Sequence, residues 1–253
     1  MPHEAVNFSE NEGVRYLHLG TEWIQGAMRL NAPNKIELEY AQQMMAWLLF
    51  LEPSSNFSTL QLGLGSGALT KFCLNLNKTI KVTAVDINPA IIVAAHIMFD
   101  LPVNNKRLNV IEGDAYEFVM NKSNSHSYDV LQVDLYNGDA SGPSLNSLEF
   151  YKGCFDTLKS PGVLSVNLFG RHKSFKKNIT NLCRAFNNRV IVFSEVHDCN
   201  IVALAFKGPP INFSWNLVHQ RARFIQDKWG IEAVKWVNNL RHANLNQEIK
   251  LSI

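Results

Sequence analysis

Residues 59–69 read TLQLGLGSGAL, Thr59 to Leu69. A short β-rich run over 59–64 ends among three alternating glycines, Gly63, Gly65 and Gly67, and a helical pattern opens at Ala68. Glycines at such a turn permit positive φ and let a ligand approach the backbone closely, while a new helix offers free N–H groups. The Gly-x-Gly-x-Gly spacing departs from the dinucleotide fingerprint Gly-x-Gly-x-x-Gly, because Ala68 stands at the last position. Variants of that fingerprint allow Ala there, so spacing alone leaves a dinucleotide open. The bland alternative is a tight strand-to-helix turn that binds nothing.

Outward from this stretch, β-rich runs alternate with helical patterns. The spacing predicts further strands over 80–86, 108–113, 128–134, 162–169, 189–195 and 200–206, and helices over 68–76, 89–99, 115–120, 147–158 and 173–186. Near-continuous apolar strands separated by helices imply a parallel sheet covered on both faces. Only VHDC, 196–199, separates the last two strands. Parallel strands cannot be joined by so short a link, so these two must form an antiparallel hairpin at one edge. The expected fold is therefore α/β: a doubly wound, mostly parallel seven-stranded sheet with a C-terminal antiparallel hairpin. Upstream, VRYLHL (14–19) and IQGAMRL (24–30) read as two short strands and 35–51 as a helix, a small β element packed at the sheet edge or over its mouth. Residues 1–53 are expected to form this element and 54–253 a Rossmann-like nucleoside-binding domain, with amphipathic helices over 214–228 and 230–241.

The glycines and three acids lie at the C-terminal ends of these strands, the edge at which open parallel sheets bind ligands. Asp86 closes the second strand some twenty residues past the glycines, where an acid can accept hydrogen bonds from both ribose hydroxyls of an adenosine. Asn88 and Pro89 then supply an N-cap and a first helical residue. Asp114 and Ala115 follow the third strand; such an acid can take an adenine amino group, although an aspartate opening a helix is also an ordinary N-cap. Asp134 ends the fourth strand, and Asp139 stands five residues later in QVDLYNGDASGP (132–143), a loop too polar and Gly/Pro-rich for a core.

Of the 253 residues 46% are apolar and 18% charged, with a formal net charge of +2. That supports a substantial core, and scattered Lys and Arg leave no footprint for nucleic acid, so a small-molecule partner is expected. The polar N-terminal segment is no secretory signal, and the apolar run MMAWLLFLEP (44–53) is too short to cross a bilayer, so no membrane partner is expected. Cys73, Cys154, Cys183 and Cys199 include no C-x-x-C pair. They read as reduced thiols of a cytoplasmic protein, and neither a metal site nor a disulfide framework is implied.

The order LGLGSGAL, VDINP, EGDAYEF, YDVLQVDLYNGDASGP and LEFYKGCFDTLKSPGVLSVNL resembles the spermidine synthase, or polyamine aminopropyltransferase, family over roughly residues 23–170, on a class I S-adenosylmethionine-dependent transferase fold. The resemblance implies no resident cofactor but a co-substrate, decarboxylated S-adenosylmethionine, whose aminopropyl group passes to an amine such as putrescine. It implies Asp86 on the ribose, Asp114 at the adenine, Asp134 as acceptor of the amine proton, and Asp139 and Tyr40 on the amine. It also suggests a homodimer. Ser66 stands where family members carry an acid, Ala41 where a glutamine is common, and the acidic loop is two residues longer. A methyltransferase using S-adenosylmethionine itself, and a non-catalytic binding protein of the same fold, remain as alternatives.

Overall fold

The computed structural model describes residues 5–136, 145–196, 199–243 and 250–253. The chain opens with β1 (Val6–Asn11), β2 (Val14–Leu19) and β3 (Ile24–Arg29), a three-stranded antiparallel sheet. Of these, β1 was not expected. Its residues are nearly all exposed, so apolar alternation is missing, and the signal that remains is its turn: Glu12 and Gly13 have φ of 49° and 74°, the two positive values that a type I′ hairpin requires.

The helix expected over 35–51 is instead α1 (Glu39–Gln43), passing directly into a 3₁₀ segment, Met44–Leu49. Leu38 is extended, with ψ of 134°, which delays the helix start. Met44, Met45, Ala46, Trp47 and Leu49 are all fully buried, so this segment is set by packing on every side rather than by one amphipathic face.

Alternation then runs as expected: β4 (Ser58–Leu62), α2 (Ala68–Leu76), β5 (Lys81–Asp86), α3 (Pro89–Met98), β6 (Leu108–Glu112), α4 (Ala115–Met120), β7 (Tyr128–Val133), α5 (Leu148–Thr157), β8 (Leu158–Phe169), α6 (Phe175–Ala185), β9 (Val190–Val192) and β10 (Asn200–Lys207). Asn88 caps α3, accepting from Ala90 N at 3.0 Å with Pro89 at the first helical position, and Ser147 caps α5, accepting from Phe150 N at 3.0 Å. The sheet order is β6-β5-β4-β7-β8-β10-β9, with β10 antiparallel to both its neighbours and the other ladders parallel. This is the doubly wound sheet with the antiparallel hairpin that the short 196–199 link demanded. The edge strand β9 is shorter than expected, yet Phe193 N still donates to Val202 O and Val196 N to Asn200 O, each at 2.9 Å, so the hairpin continues past the regular ladder.

A small ladder of β11 (Asn212–Ser214) and β12 (Lys250–Ser252) flanks α7 (Trp215–Trp229) and α8 (Ala233–Ala243). One buried cluster runs from Leu19 and Trp47 through Leu69, Val82 and Val130 to Val218 and Trp236, so the C-terminal helices and the N-terminal segment pack on the same sheet face. Phe150, Tyr151, Leu131 and Leu182 belong to a second cluster, with α5 and α6 on it. Among the described residues no helix is long and apolar enough to cross a membrane.

Candidate active site

Register lines up the polar strand ends. Asp86 pairs with Glu112, Val85 with Leu62, Leu62 with Val133 and Val133 with Val166. One step beyond Val85, Leu62, Val133 and Val166, and level with Glu112, the residues Asp86, Gly63, Asp134 and Asn167 therefore stand in a row across the C-terminal edge. The row is knitted by backbone: Gly63 N donates to Val85 O and Asp134 N to Leu62 O, each at 2.9 Å.

The three glycines are required by conformation. Gly63, Gly65 and Gly67 have φ of 86°, 51° and 69°. A Cβ on Gly63 would lie 2.1 Å from the Asp134 carbonyl oxygen, so only glycine lets these two strand ends come together. Ser66, at the loop tip, turns away into the N-terminal sheet: it is 3% exposed, and a Cβ on Gly26 would meet its Oγ at 2.7 Å.

Asp86 is buried; its Oδ2 accepts from Leu64 N at 2.8 Å and its Oδ1 from Asn88 N at 2.9 Å. Its carboxylate thus ties the glycine loop to the start of α3. Asp114 is the N-cap of α4, its Oδ1 accepting from Tyr116 N at 2.7 Å and Glu117 N at 3.0 Å. Both acids border a cavity of about 180 Å³ together with Gly63, Gly65, Ala115 and Asp134. From the N-terminal sheet, Leu17, Leu19 and Gln25 close it, so that sheet covers the mouth. Of the sequence-predicted nucleoside residues, Gly63, Gly65, Asp86, Asp114 and Ala115 border this cavity, while Gly67 sits behind it as the left-handed residue before α2.

A second cavity, of about 960 Å³, adjoins the first through Gln25, Tyr40 and Tyr136. Glu37, Glu39, Trp23 and Asn167 are among its walls. Two of these carboxylates are already paired, Glu37 with Arg29 and Glu39 with Lys235. Asp134 sits at the seam. It lines the first cavity, and its two partners line the second: Asn167 Nδ2 donates to Oδ1 at 3.0 Å, and Tyr40 OH makes a long bond to Oδ2 at 3.4 Å. Burial pushes the Asp134 carboxyl up from 3.8 to about 6, and the Asn167 and Tyr40 hydrogen bonds pull the other way. The Tyr40 phenol is held well above its ordinary value by burial and then by the Asp134 charge. Such a carboxylate is ionised at neutral pH and close to the value at which it best accepts a proton.

Asp139 lies outside the described residues. Sequence reasoning missed Gln25, Tyr136 and Asn167. For Asn167 there was a signal, since an amide inside the apolar run GVLSVNLF needs a partner within the core.

A family model for the spermine/spermidine synthase domain matches residues 38–196. A polyamine aminopropyltransferase of Neisseria meningitidis serogroup A is 30% identical over 241 residues, which cover 95% of this chain and 90% of that protein. Among solved structures, a probable spermidine synthase from Corynebacterium glutamicum superposes with a TM-score of 0.71 at 16% identity, covering 86% of this chain and 83% of the other. Human methyltransferase-like protein 13, in complex with SAH, superposes with a TM-score of 0.64 at 20% identity, covering 81% and 93%. These two structures show the likeness of fold.

Proposed function

Because this chain belongs to the spermine/spermidine synthase family of transferases, we propose that it transfers an aminopropyl group from decarboxylated S-adenosylmethionine to an amine such as putrescine. The observation that carries this reading is Asp134 at the seam of two cavities, one bordered by nucleoside-type residues and one by acids and aromatics.

In this reading the donor's adenosine occupies the smaller cavity, with its ribose hydroxyls toward Asp86 and its adenine toward Asp114 and Ala115, while the glycine loop passes close beneath the sulfonium side. The acceptor enters by the larger cavity past Tyr40, and the family resemblance assigns Asp139 a part in binding its charge. An ammonium has no lone pair, so Asp134 first takes a proton from it. The freed nitrogen pair then forms a bond to the methylene attached to sulfur as the carbon–sulfur bond breaks. That bond's electrons return to sulfur, which leaves as the neutral thioether methylthioadenosine. Tyr40 donates to the carboxylate and so keeps Asp134 ionised until the amine arrives.

Calorimetric titration with decarboxylated S-adenosylmethionine, S-adenosylmethionine and methylthioadenosine, each with and without putrescine, tests the donor. We expect preference for the decarboxylated donor, because the methionine carboxylate of the intact one would face Asp134. Tighter binding of S-adenosylmethionine would move the reading to methyl transfer. Turnover of Asp134→Asn at the parent rate would remove Asp134 from the chemistry.

A further inference from the structure

Two buried oxygen atoms beside Asp134 have no hydrogen-bond partner among the described residues: Asn167 Oδ1 and Tyr136 Oη. Both residues line the larger cavity. Asn167 is 2% exposed, and its orientation is fixed by chemistry, because an ionised carboxylate only accepts. The amide nitrogen must therefore face Asp134 Oδ1, and the amide oxygen is turned away from it. Burying an acceptor without a donor is unfavourable, and such atoms in a folded protein mark a place where something else supplies the hydrogen. Tyr136 stands two residues beyond Asp134, in the loop that is two residues longer than its family counterparts, and it borders both cavities. Burial and then the Asp134 charge raise the Tyr136 phenol far above its ordinary value, so it stays protonated and neutral.

We propose that Asn167 Oδ1 and Tyr136 Oη complete, with Asp134, a three-oxygen cradle for the acceptor's reactive nitrogen, and that this cradle selects primary amines over N-alkylated ones. The inference rests on the aminopropyl-transfer reading. A primary ammonium carries three N–H donors, one for each oxygen; a secondary ammonium carries two and leaves one oxygen buried and unpaired. Two protons of the bound ammonium are held by the neutral acceptors and the third is the one that Asp134 removes. The nitrogen then keeps two hydrogen bonds, and the lone pair left behind points to the side of Asp134, which is the side of the donor cavity. A site that hydrogen-bonds a substrate group discriminates strongly against an analogue lacking it, because its own polar atoms are left unpaired.

The test compares putrescine with N,N′-dimethylputrescine, in which both nitrogens are secondary, on the full chain and on Tyr136→Phe, Asn167→Leu and Asp134→Asn. The parent should prefer putrescine by at least about tenfold in kcat/KM. Tyr136→Phe removes one oxygen without removing the ring; it should raise the KM for putrescine by roughly tenfold and shrink the preference several-fold. Asn167→Leu should shrink the preference as well, and where it fails to fold Tyr136→Phe alone decides. A parent that uses the two amines equally, or a preference unchanged in Tyr136→Phe, overturns the cradle. In either case aminopropyl transfer to putrescine by the parent would leave the transfer reading standing, and a parent that transfers to neither amine would sink that reading itself.

Discussion

Replacing Asp134 by Asn should remove transfer and, at neutral pH and above, make the protein more stable. The folded protein holds this carboxyl at about 6 against an ordinary 3.8, chiefly through burial. At about 1.4 kcal/mol per pH unit that gap corresponds to ~3 kcal/mol. Its sign follows from proton binding: between the two values the folded state holds a proton that the unfolded chain has lost, so stability falls as pH rises through this window, and the cost is complete above about 6. Asn carries no charge and has no such slope. Its amide oxygen can still accept from Asn167 Nδ2, and its NH₂ group can face the Tyr40 hydroxyl, so the local geometry survives. The variant should therefore gain on the parent by roughly 2–3 kcal/mol between pH 4 and pH 8, or roughly 4–12 °C in Tm for a chain of this size. Urea denaturation of both proteins at the two pH values reads this directly. A stability difference that is the same at pH 4 and pH 8 would refute burial as the origin of the raised carboxyl.

The same carboxyl predicts that kcat/KM falls about tenfold per pH unit below about 6, as Asp134 becomes protonated in the free protein. Tyr40→Phe removes a donor to Asp134 and should move that acid limb upward; a limb that stays in place would separate Tyr40 from the base. Gly63→Ala should cost more than about 2 kcal/mol of stability and most of the activity, since it combines positive φ with a Cβ placed against the Asp134 carbonyl. A parent-like urea midpoint for that variant would mean that the two strand ends can part at little cost.

Much of the site was legible because it hangs on strand ends, which hydrophobic runs locate well. Asp86, Asp114 and Asp134 each follow an apolar strand, and the observed register turns that one-dimensional pattern into a row along the edge. Asp86 has a structural role whatever it does toward a ribose, for it holds Leu64 N and Asn88 N. Asp114 caps α4 and borders the cavity at once, so the two readings of that residue were never exclusive. Asn167 was harder to see, because its importance depends on β7 and β8 being neighbours in one particular register. A one-residue slip would have turned it to the other face. The 3₁₀ segment Met44–Leu49 escaped for a different reason: burial on all sides erases the periodicity by which a helix is recognised.

Ser66 shows how packing and chemistry constrain one another at the loop tip. In sequence it marks the loss of an acid that aminopropyltransferases usually carry. In the fold its Oγ bonds to the Ala27 carbonyl at 3.4 Å, and it is pressed against Gly26, whose missing Cβ makes the room. An aspartate in this position would bring a charge next to a carbonyl oxygen in a space that closes around serine, and such burial without a donor is strongly unfavourable. The loop tip therefore anchors the N-terminal sheet over the mouth, and its side chain does not border the smaller cavity. Among the described residues the carboxylates that do are Asp86, Asp114 and Asp134, the first two engaged by backbone N–H groups. Asp134 lies at the seam where the cationic part of the donor would meet the acceptor. It must then both repel a donor that keeps its carboxylate and take the acceptor's proton, which makes donor selection and catalysis separable only by variants of its neighbours.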